Sequence, residues 1–577
     1  MPDAVVVGAG PNGLVAANLL ADAGWDVLVL EAQPEPGGAV RSGETAHAGY
    51  VHDRFSSFYP LVLASPVMRA LELERHGLRL RHAEAAVAHP LPGGRAAVIY
   101  GKDLERTCAG LEALAAGDGD AFARWMDYWD RIGPALVEAL MTPFPPLRGG
   151  LRLGAALTTP RRMGEFARLC TMPVRRFVEE EFTGEGPALL FAANALHADY
   201  APETAGGAVY GLVLVGMALN VGFPVAEGGS GALTAALVRR LEAAGGRVEC
   251  GVPVDRVLLR GGRAAGVRTA DGREHAARRA VLADVGAPQL YERLVGVEHL
   301  PERVREGLRR FEYDHGTVKV DWALDGPVPW TAPDMARTGT VHVAESVDAL
   351  TLAMARIASR RVPERPFLVA GQYARMDPSR QPEGAETLWG YTHVPREVRG
   401  DAGEDGIDGR WDEREREAMA TGWRPRSSAW RRAFTRRCWG ATSPARRTWR
   451  PRTPTSSAGR STAARRSCTS SCSCGRSPAS AAPAPPCRGC SSPRPPPIPA
   501  GACTAHAGPT PLAPRCGRAG PATCAGPCVR CASAGPSRAA RRCGRRGAPR
   551  AAGRPRPRRA AGRCTTACGP ATRAARA

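Results

Sequence analysis

A two-domain α/β architecture, its first domain interrupted by an insertion and its chain ending in a non-globular tail, is predicted by three features of this 577-residue sequence. A hydrophobic strand, Ala4 to Val7, runs straight into Gly8-Ala9-Gly10-Pro11-Asn12-Gly13 and then into the apolar, Ala-rich helical pattern of Leu14 to Ala23. A second glycine-led helix and strand, between Glu227 and Asp284, repeats that character far along the chain. Beyond Ala420 apolar residues nearly vanish.

The opening segment is a complete βαβ unit of the Rossmann-like, dinucleotide-binding type. The first glycine permits the tight strand-to-helix turn, the second lets a pyrophosphate approach the backbone, and the third lets helix and strand pack closely. The helix N-terminus offers unpaired N–H groups to the phosphates. Gly24 ends the helix, Val27 to Leu30 form the second strand, and Glu31 stands at its end, 18 residues past Gly13, where an acid accepts the hydroxyls of a ribose. After it come Gly37-Gly38 and, three residues further, Arg41.

Far along the chain, Glu227-Gly228-Gly229-Ser230-Gly231 leads into a helix with Leu233, Ala236, Leu237 and Leu241 on one face. The strand Arg247 to Cys250 follows, then Gly251-Val252-Pro253-Val254, a hairpin turning at Asp271-Gly272, and the strand Ala280 to Ala283 before Asp284.

Together, Gly8 to Ser42 and Val225 to Asp284 resemble the FAD domain of the phytoene dehydrogenase-related (carotenoid desaturase) branch of NAD(P)/FAD-dependent oxidoreductases. The resemblance implies FAD as cofactor, held by Gly8, Gly10, Pro11, Asn12, Gly13, Glu31, Gly37, Gly38, Arg41 and Val254. In that family the glycine pair brings backbone close to the cofactor, the arginine sits near its phosphates, and the residue at Val254 meets the adenine through its backbone. The implied activity is hydride transfer from or to a C–C bond of a hydrophobic substrate. Two alternatives stand beside it: a flavin amine oxidase, and a nonenzymatic protein whose basic tail binds nucleic acid or another acidic partner.

The domain boundaries that follow are 1–72 with 224–288 for the FAD-binding domain, 73–223 with 289–420 for a mixed sheet and helical substrate cap, and 421–577 for the tail. Within the cap, Phe122, Trp125, Met126, Trp129 and Ile132 recur at helical spacing and predict an apolar stripe. Residues Ala205 to Ala226 carry no charge, a length that could cross a bilayer. Their glycines, with Asn220 and Pro224, favour a buried segment instead. Thr317 to Leu324 alternates, with Val318, Val320, Trp322 and Leu324 on one side and Thr317, Lys319 and Asp321 on the other, which predicts a half-buried strand; Thr387 to Val394 reads likewise. His52, His197, Tyr391 and His393 are candidate proton acceptors, but no nucleophile stands beside a base. The catalytic residue stays unassigned and no metal site is expected.

Charge separates the chain in two. Of 78 basic residues 32 lie beyond Ala420, where no acidic residue occurs, so residues 1–420 hold 46 basic against 56 acidic and the overall +22 belongs to the tail. Three scattered cysteines, Cys108, Cys170 and Cys250, in the first part suit a reducing cytoplasm. The N-terminus lacks the basic region of a signal peptide. The expected partners are a small hydrophobic substrate and, peripherally, a membrane surface, with no specific nucleic acid; electron acceptor and oligomeric state are left open.

In the tail only Phe434, Ile498, Leu512 and Val529 come from the Val, Ile, Leu, Met and Phe set, too few for a core. Its Arg, Ala, Pro, Ser, Gly, Thr and Cys are what a GC-rich gene yields in the wrong frame. Reading one base earlier turns every Trp codon, Trp423, Trp430, Trp439 and Trp449 included, into one for Leu, Val or Met. A frame shift near Ala420 is therefore expected. It would remove the C-terminal glycine-rich flavin segment of the family and leave this polypeptide poorly competent. Cys487 to Cys490 and Cys528 to Cys531 have zinc-ligand spacing but no surrounding core, and are read as decoys.

Overall fold

The computed structural model describes residues 1–422 and 455–456. The expectations of a non-globular, out-of-frame tail and of decoy cysteine pairs fall outside these residues. The two-residue strand Thr455–Ser456 pairs with Val318 and Lys319 at the edge of a sheet.

Four parallel strands lie in the order Ala280–Ala283, Ala4–Val7, Val27–Glu31, Arg247–Cys250. Two come from the first residues of the chain and two return after the insertion. The two central strands, Ala4–Val7 and Val27–Glu31, are buried along their whole length and can be almost wholly apolar because both faces are covered. Val6 and Val29 point into a core shared with the helices Pro11–Asp22 and Gly231–Ala243. Val5, Val7, Leu28 and Leu30 point the other way, against Val257 and Val267 of the antiparallel hairpin Val254–Arg260 and Arg263–Thr269. Burying strands of this kind contributes roughly 1.5–3 kcal/mol per large aliphatic side chain.

The second sheet has seven strands, in the order Thr455–Ser456, Gly316–Leu324, Glu386–Val394, Leu368–Gln372, Thr338–Val343, Ala85–Leu91 and Arg95–Tyr100. Only the Thr338–Val343 and Ala85–Leu91 pair is parallel. One face carries a layer of helices, among them Asp118–Met141, Glu185–Leu196 and Gly207–Asn220. The expected stripe is that layer's core: Phe122, Met126, Trp129 and Ile132 are buried, and Trp125 packs at their margin. The charge-free segment becomes the buried helix Gly207–Asn220. Its glycines serve contact, since a Cβ at Gly216 would overlap the Trp129 indole. Among the described residues no helix is long and apolar enough to cross a membrane.

One expectation needs correction. Gly316–Leu324 is buried on both faces, not one, with Thr317, Lys319 and Asp321 almost as withdrawn as Val318 and Val320, and Glu386–Val394, expected to be likewise half-buried, is buried on both faces too. The polar face of Gly316–Leu324 looks into the protein and forms part of a cavity wall.

Candidate functional site

Gly8 takes a left-handed φ of 99° as the chain leaves the first strand, a conformation that glycine alone adopts without strain. Its neighbours are constrained by space. A Cβ at Gly13 would collide with the Gly8 carbonyl, and one at Gly10 with the Asp284 carboxylate. Pro11 occupies the first helical position, where no N–H is needed, and Asn12 follows it.

The Gly37-Gly38 pair folds onto this turn. Gly37 N–H donates to the Ala9 carbonyl at 2.7 Å, and a Cβ on Gly38 would stand 3.1 Å from Gly10 Cα. Arg41 is tied beside the pair: its Nε donates to the Gly38 carbonyl at 3.0 Å, and its guanidinium pairs with Glu35 at 3.2 Å.

Glu31 is buried at the end of its strand, and its carboxylate is oriented by two backbone donors, Ala9 N–H and Gln33 N–H, each at 2.8 Å. Spare lone pairs on both oxygens remain for hydroxyl donors. The chain returning from Cys250 runs alongside, with Val252 N–H on the Glu31 carbonyl at 2.8 Å. That places Val254, two residues on, at the start of the hairpin over the same strand end.

Sequence reasoning passed over the site role of Asp284. This residue follows the Ala280–Ala283 strand and accepts the Gly13 N–H at 3.0 Å, so a carboxyl oxygen already meets the helix N-terminus. The donor set, the close-packed glycines and the oriented carboxylate fit an ADP moiety.

Ala39, next to Gly38, also lines a cavity of about 480 Å³. Its walls are Phe55, Phe58, Leu61, Val62, Leu140, Met141, Val213, Leu214, Phe223, Val369 and Trp389, with Thr317, Lys319, Thr340, His197, Tyr391 and His393 supplying polar atoms. Lys319 is buried against Asp321, which also accepts the Thr45 hydroxyl at 3.0 Å. Among the described residues no acidic side chain lines the cavity. Trp389 and Tyr391 stack on each other with ring planes 10° apart and centroids 6.0 Å apart, and so form a wall.

Three of the four candidate proton acceptors meet here. Tyr391 Oη lies 3.2 Å from His197 Nδ1, and His197 Nε2 lies 2.8 Å from Nε2 of His342, which sequence reasoning missed. Burial, then the neighbouring His393, brings the His197 imidazole down to about 4. Burial, with His197 and His89, holds His342 well below its ordinary value. Burial, then Asp199, pushes the Tyr391 phenol up. All three are therefore neutral at neutral pH. His393 Nδ1 stands 3.0 Å from Asp199. His52 is not among the residues lining the cavity; its Nε2 meets the Trp322 carbonyl at 3.1 Å.

Among the described residues no group of three or more His, Cys, Asp or Glu side chains could hold a metal ion. A buried cluster ties together residues far apart in the chain. Arg380 binds Asp53 at 2.9 Å, Asp377 at 2.8 Å and the Ala226 carbonyl at 2.6 Å, while Asp53 also accepts Ser57 Oγ, Tyr373 Oη and Ser230 N–H. Nothing in the turn-like sequence around Arg380 signalled it. Lys319 did carry a signal: it is one of only two lysines among 78 basic residues, and Lys and Arg are not interchangeable where a compact charge must be buried.

The chain is similar to the hydroxyneurosporene desaturase of Cereibacter sphaeroides, 35% identical over 280 residues that cover 47% of this chain and 54% of that protein. It is 27% identical to pyridine nucleotide-disulfide oxidoreductase domain-containing protein 2 of Mus musculus, covering 56% of this chain and 60% of that one. It therefore spans just over half of the length of these two relatives. A zeta-carotene-forming phytoene desaturase of Myxococcus xanthus is 28% identical, with 68% and 72% covered. Among solved structures, an oxidoreductase from Methanosarcina mazei aligns at a TM-score of 0.46 and 18% identity over 68% of this chain and 79% of that one. The model of the flavin containing amine oxidoreductases matches residues 12–398, from within the glycine turn to the far strand of the cap. This chain belongs to the flavin containing amine oxidoreductase family, and its cofactor is FAD.

Proposed function

We propose that the protein is an FAD-dependent oxidoreductase of the phytoene desaturase-like type, acting on a C–C bond of a hydrophobic substrate. The observation that carries this reading is the cavity itself: apolar walls, one buried cation and, among the described residues, no acidic side chain, beginning at Ala39 beside the glycine pair. A hydrocarbon gains by leaving water for such a place. Lys319 is already paired with Asp321, so the described wall offers no spare carboxylate to hold an ammonium substrate, which counts against the amine oxidase alternative.

In this reading Gly8, Gly10, Gly13 and the Pro11-Asn12 helix start hold the pyrophosphate, Glu31 holds the adenosine ribose, Gly37, Gly38 and Arg41 close over the phosphates, and Val254 meets the adenine. Bound FAD takes up or gives the hydride. The chain's own residues handle the proton. Tyr391 Oη takes a proton from the substrate carbon as it passes its own to His197 Nδ1, and His197 Nε2–H hands one on to His342. Run backwards, the same string delivers a proton for saturation of a double bond. The Trp389–Tyr391 wall keeps water from this corner. Among the described residues the three cysteines are scattered and unbridged, which supports a cytoplasmic site of action.

The experiment is anaerobic mixing of the FAD-loaded protein with an acyclic polyene bearing saturated C–C bonds and, separately, with putrescine. Bleaching of the flavin by the polyene alone supports the reading; bleaching by the diamine alone overturns it. Tyr391→Phe should slow the bleaching by roughly 10²–10⁴-fold, the usual contribution of a positioned proton-transfer group.

A further inference from the structure

The proton string from Tyr391 ends on His342, and a further buried histidine stands beside that end. Val341 pairs with Ala88 in the parallel ladder between Thr338–Val343 and Ala85–Leu91, and the next residue of each strand is a histidine, His342 and His89. Residues at one level of a parallel ladder turn their side chains to the same face, so the two imidazoles are neighbours. Both are wholly buried. Burial brings His89 down to about 4 and holds His342 well below its ordinary value, so each is neutral at neutral pH. A neutral imidazole has one N–H and one bare nitrogen, and its partners decide which is which.

His89 Nε2 lies 3.0 Å from the Ala344 carbonyl oxygen, which can only accept. The proton of His89 is therefore on Nε2, and its Nδ1 is a bare acceptor. That Nδ1 is buried and has no hydrogen-bond partner among the described residues. His342 is in the same position: its Nε2 meets His197, and its Nδ1 is buried without a partner among the described residues. A third such atom is Asn194 Oδ1. Asn194 donates its amide N–H to the Leu190 carbonyl at 2.8 Å and lies one turn before His197, on the same side of the helix Glu185–Leu196. Three buried polar atoms of this kind suit one internal water, which typically makes about three hydrogen bonds.

The protons of the string can be arranged in two ways. In the first, Tyr391 donates to His197 Nδ1, His197 donates from Nε2 to His342 Nε2, and His342 carries its proton on Nδ1. The water then accepts from His342 and donates to His89 Nδ1 and to Asn194 Oδ1, and every atom is satisfied. In the second, all donors reverse, and His342 Nδ1 is bare. The water would then face three acceptors with two protons, and one buried acceptor would bear its full desolvation penalty.

We infer that His89 is a positioning residue: through one buried water shared with Asn194 it holds His342 and His197 in the first arrangement, so that Tyr391 aims its proton at His197 and keeps its oxygen free to accept one from the cavity. The purpose of the arrangement rests on the proton-accepting role given to Tyr391 under Proposed function. The arrangement itself is a property of the resting protein.

The test is solid-state 15N NMR of the full chain labelled at its histidine nitrogens, without substrate, where bare and protonated ring nitrogens give separate signals. His197→Phe and His342→Phe assign the two rings. The wild-type chain should show His197 protonated at Nε2 and His342 at Nδ1. In His89→Leu the water serves either arrangement, and the ratio of Nδ1–H to Nε2–H at His342 should fall by at least about fivefold, the lower end of what one unsatisfied buried acceptor costs. His89→Asn, whose Oδ1 stands where Nδ1 does, should keep the wild-type pattern. Flavin bleaching by the polyene should slow in His89→Leu by at least about tenfold, part of the roughly 10²–10⁴-fold due to a positioned proton-transfer group, and should be restored in His89→Asn. A wild-type His342 protonated at Nε2, or a His89→Leu spectrum equal to that of wild type, overturns the inference whatever the substrate. Bleaching by the diamine alone would end the Proposed function and leave the measured arrangement standing.

Discussion

Arg380 and Asp53, 327 residues apart in the chain and both wholly withdrawn from solvent, meet at 2.9 Å. Burial, the largest influence on Asp53, pushes its carboxyl up. The Arg380 charge, with hydrogen bonds from Arg380, Ser230 N–H and Tyr373, outweighs it and holds the group below the usual carboxylate range. The pair is thus ionised and fully hydrogen-bonded, the condition under which a buried ion pair persists. Since Ser57, one of the Asp53 donors, also lines the cavity, the cluster holds part of the cavity wall in place.

Breaking that pair from one side leaves an uncompensated buried charge. Arg380→Met should lower unfolding free energy by about 3–5 kcal/mol in urea titrations. Arg380→Met/Asp53→Asn should cost clearly less than the two single changes together, because neither charge is then stranded. Additive losses would show that the two residues do not act as a pair.

The cofactor cradle makes a graded prediction. Glu31→Ala should weaken FAD binding by roughly 1.5–3 kcal/mol, the range for hydrogen bonds to a charged group, measured by fluorescence titration of the apoprotein. Gly10→Val should be worse, because even a Cβ there meets the Asp284 carboxylate and a branched side chain fills the pyrophosphate's place. Undiminished affinity in the Glu31 variant would remove the ribose role.

Glu386 gives stability a pH signature. Burial raises its carboxyl to about 7, although Tyr373 and Ala374 N–H groups, at 2.7 and 2.9 Å, favour the carboxylate. A carboxyl raised from 4.5 contributes its full stability below about 4.5 and loses it as pH climbs through about 7. The loss amounts to about 3 kcal/mol at most, from 1.36 kcal/mol per unit. Thermal unfolding of Glu386→Gln, compared with wild type at each pH, should show the variant relatively more stable above neutrality than near pH 5. A difference that does not vary with pH would refute the raised carboxyl.

A fourth prediction follows from the composition beyond Ala420. If the reading frame shifts near codon 420, the polypeptide as written lacks the family's C-terminal glycine-rich flavin segment and should retain FAD weakly and turn over slowly, because hydride transfer depends steeply on placement of the cofactor. Shifting the reading frame near codon 420 to restore the downstream sequence should raise both retained flavin and turnover. Equal flavin content and turnover in the two proteins, with the tail verified by mass spectrometry, would dispose of the frame-shift reading.

The sequence by itself determined whatever is local. Gly8 to Gly13, Glu31 and the Gly37-Gly38 pair are legible because each answers a constraint within a few residues: a turn, a strand end, a close approach of backbone. The stripe from Phe122 to Ile132 is legible because helical periodicity is local as well. The tertiary structure alone decided which polar residues face inward. Lys319 and Thr317 alternate as if towards solvent, but that face of their strand closes a cavity, and a period of two cannot say which side is wet. His342 met His197, and Arg380 met Asp53, across 145 and 327 residues. Contacts at that separation leave no periodicity behind them, since they arise from how layers stack, not from how one segment turns.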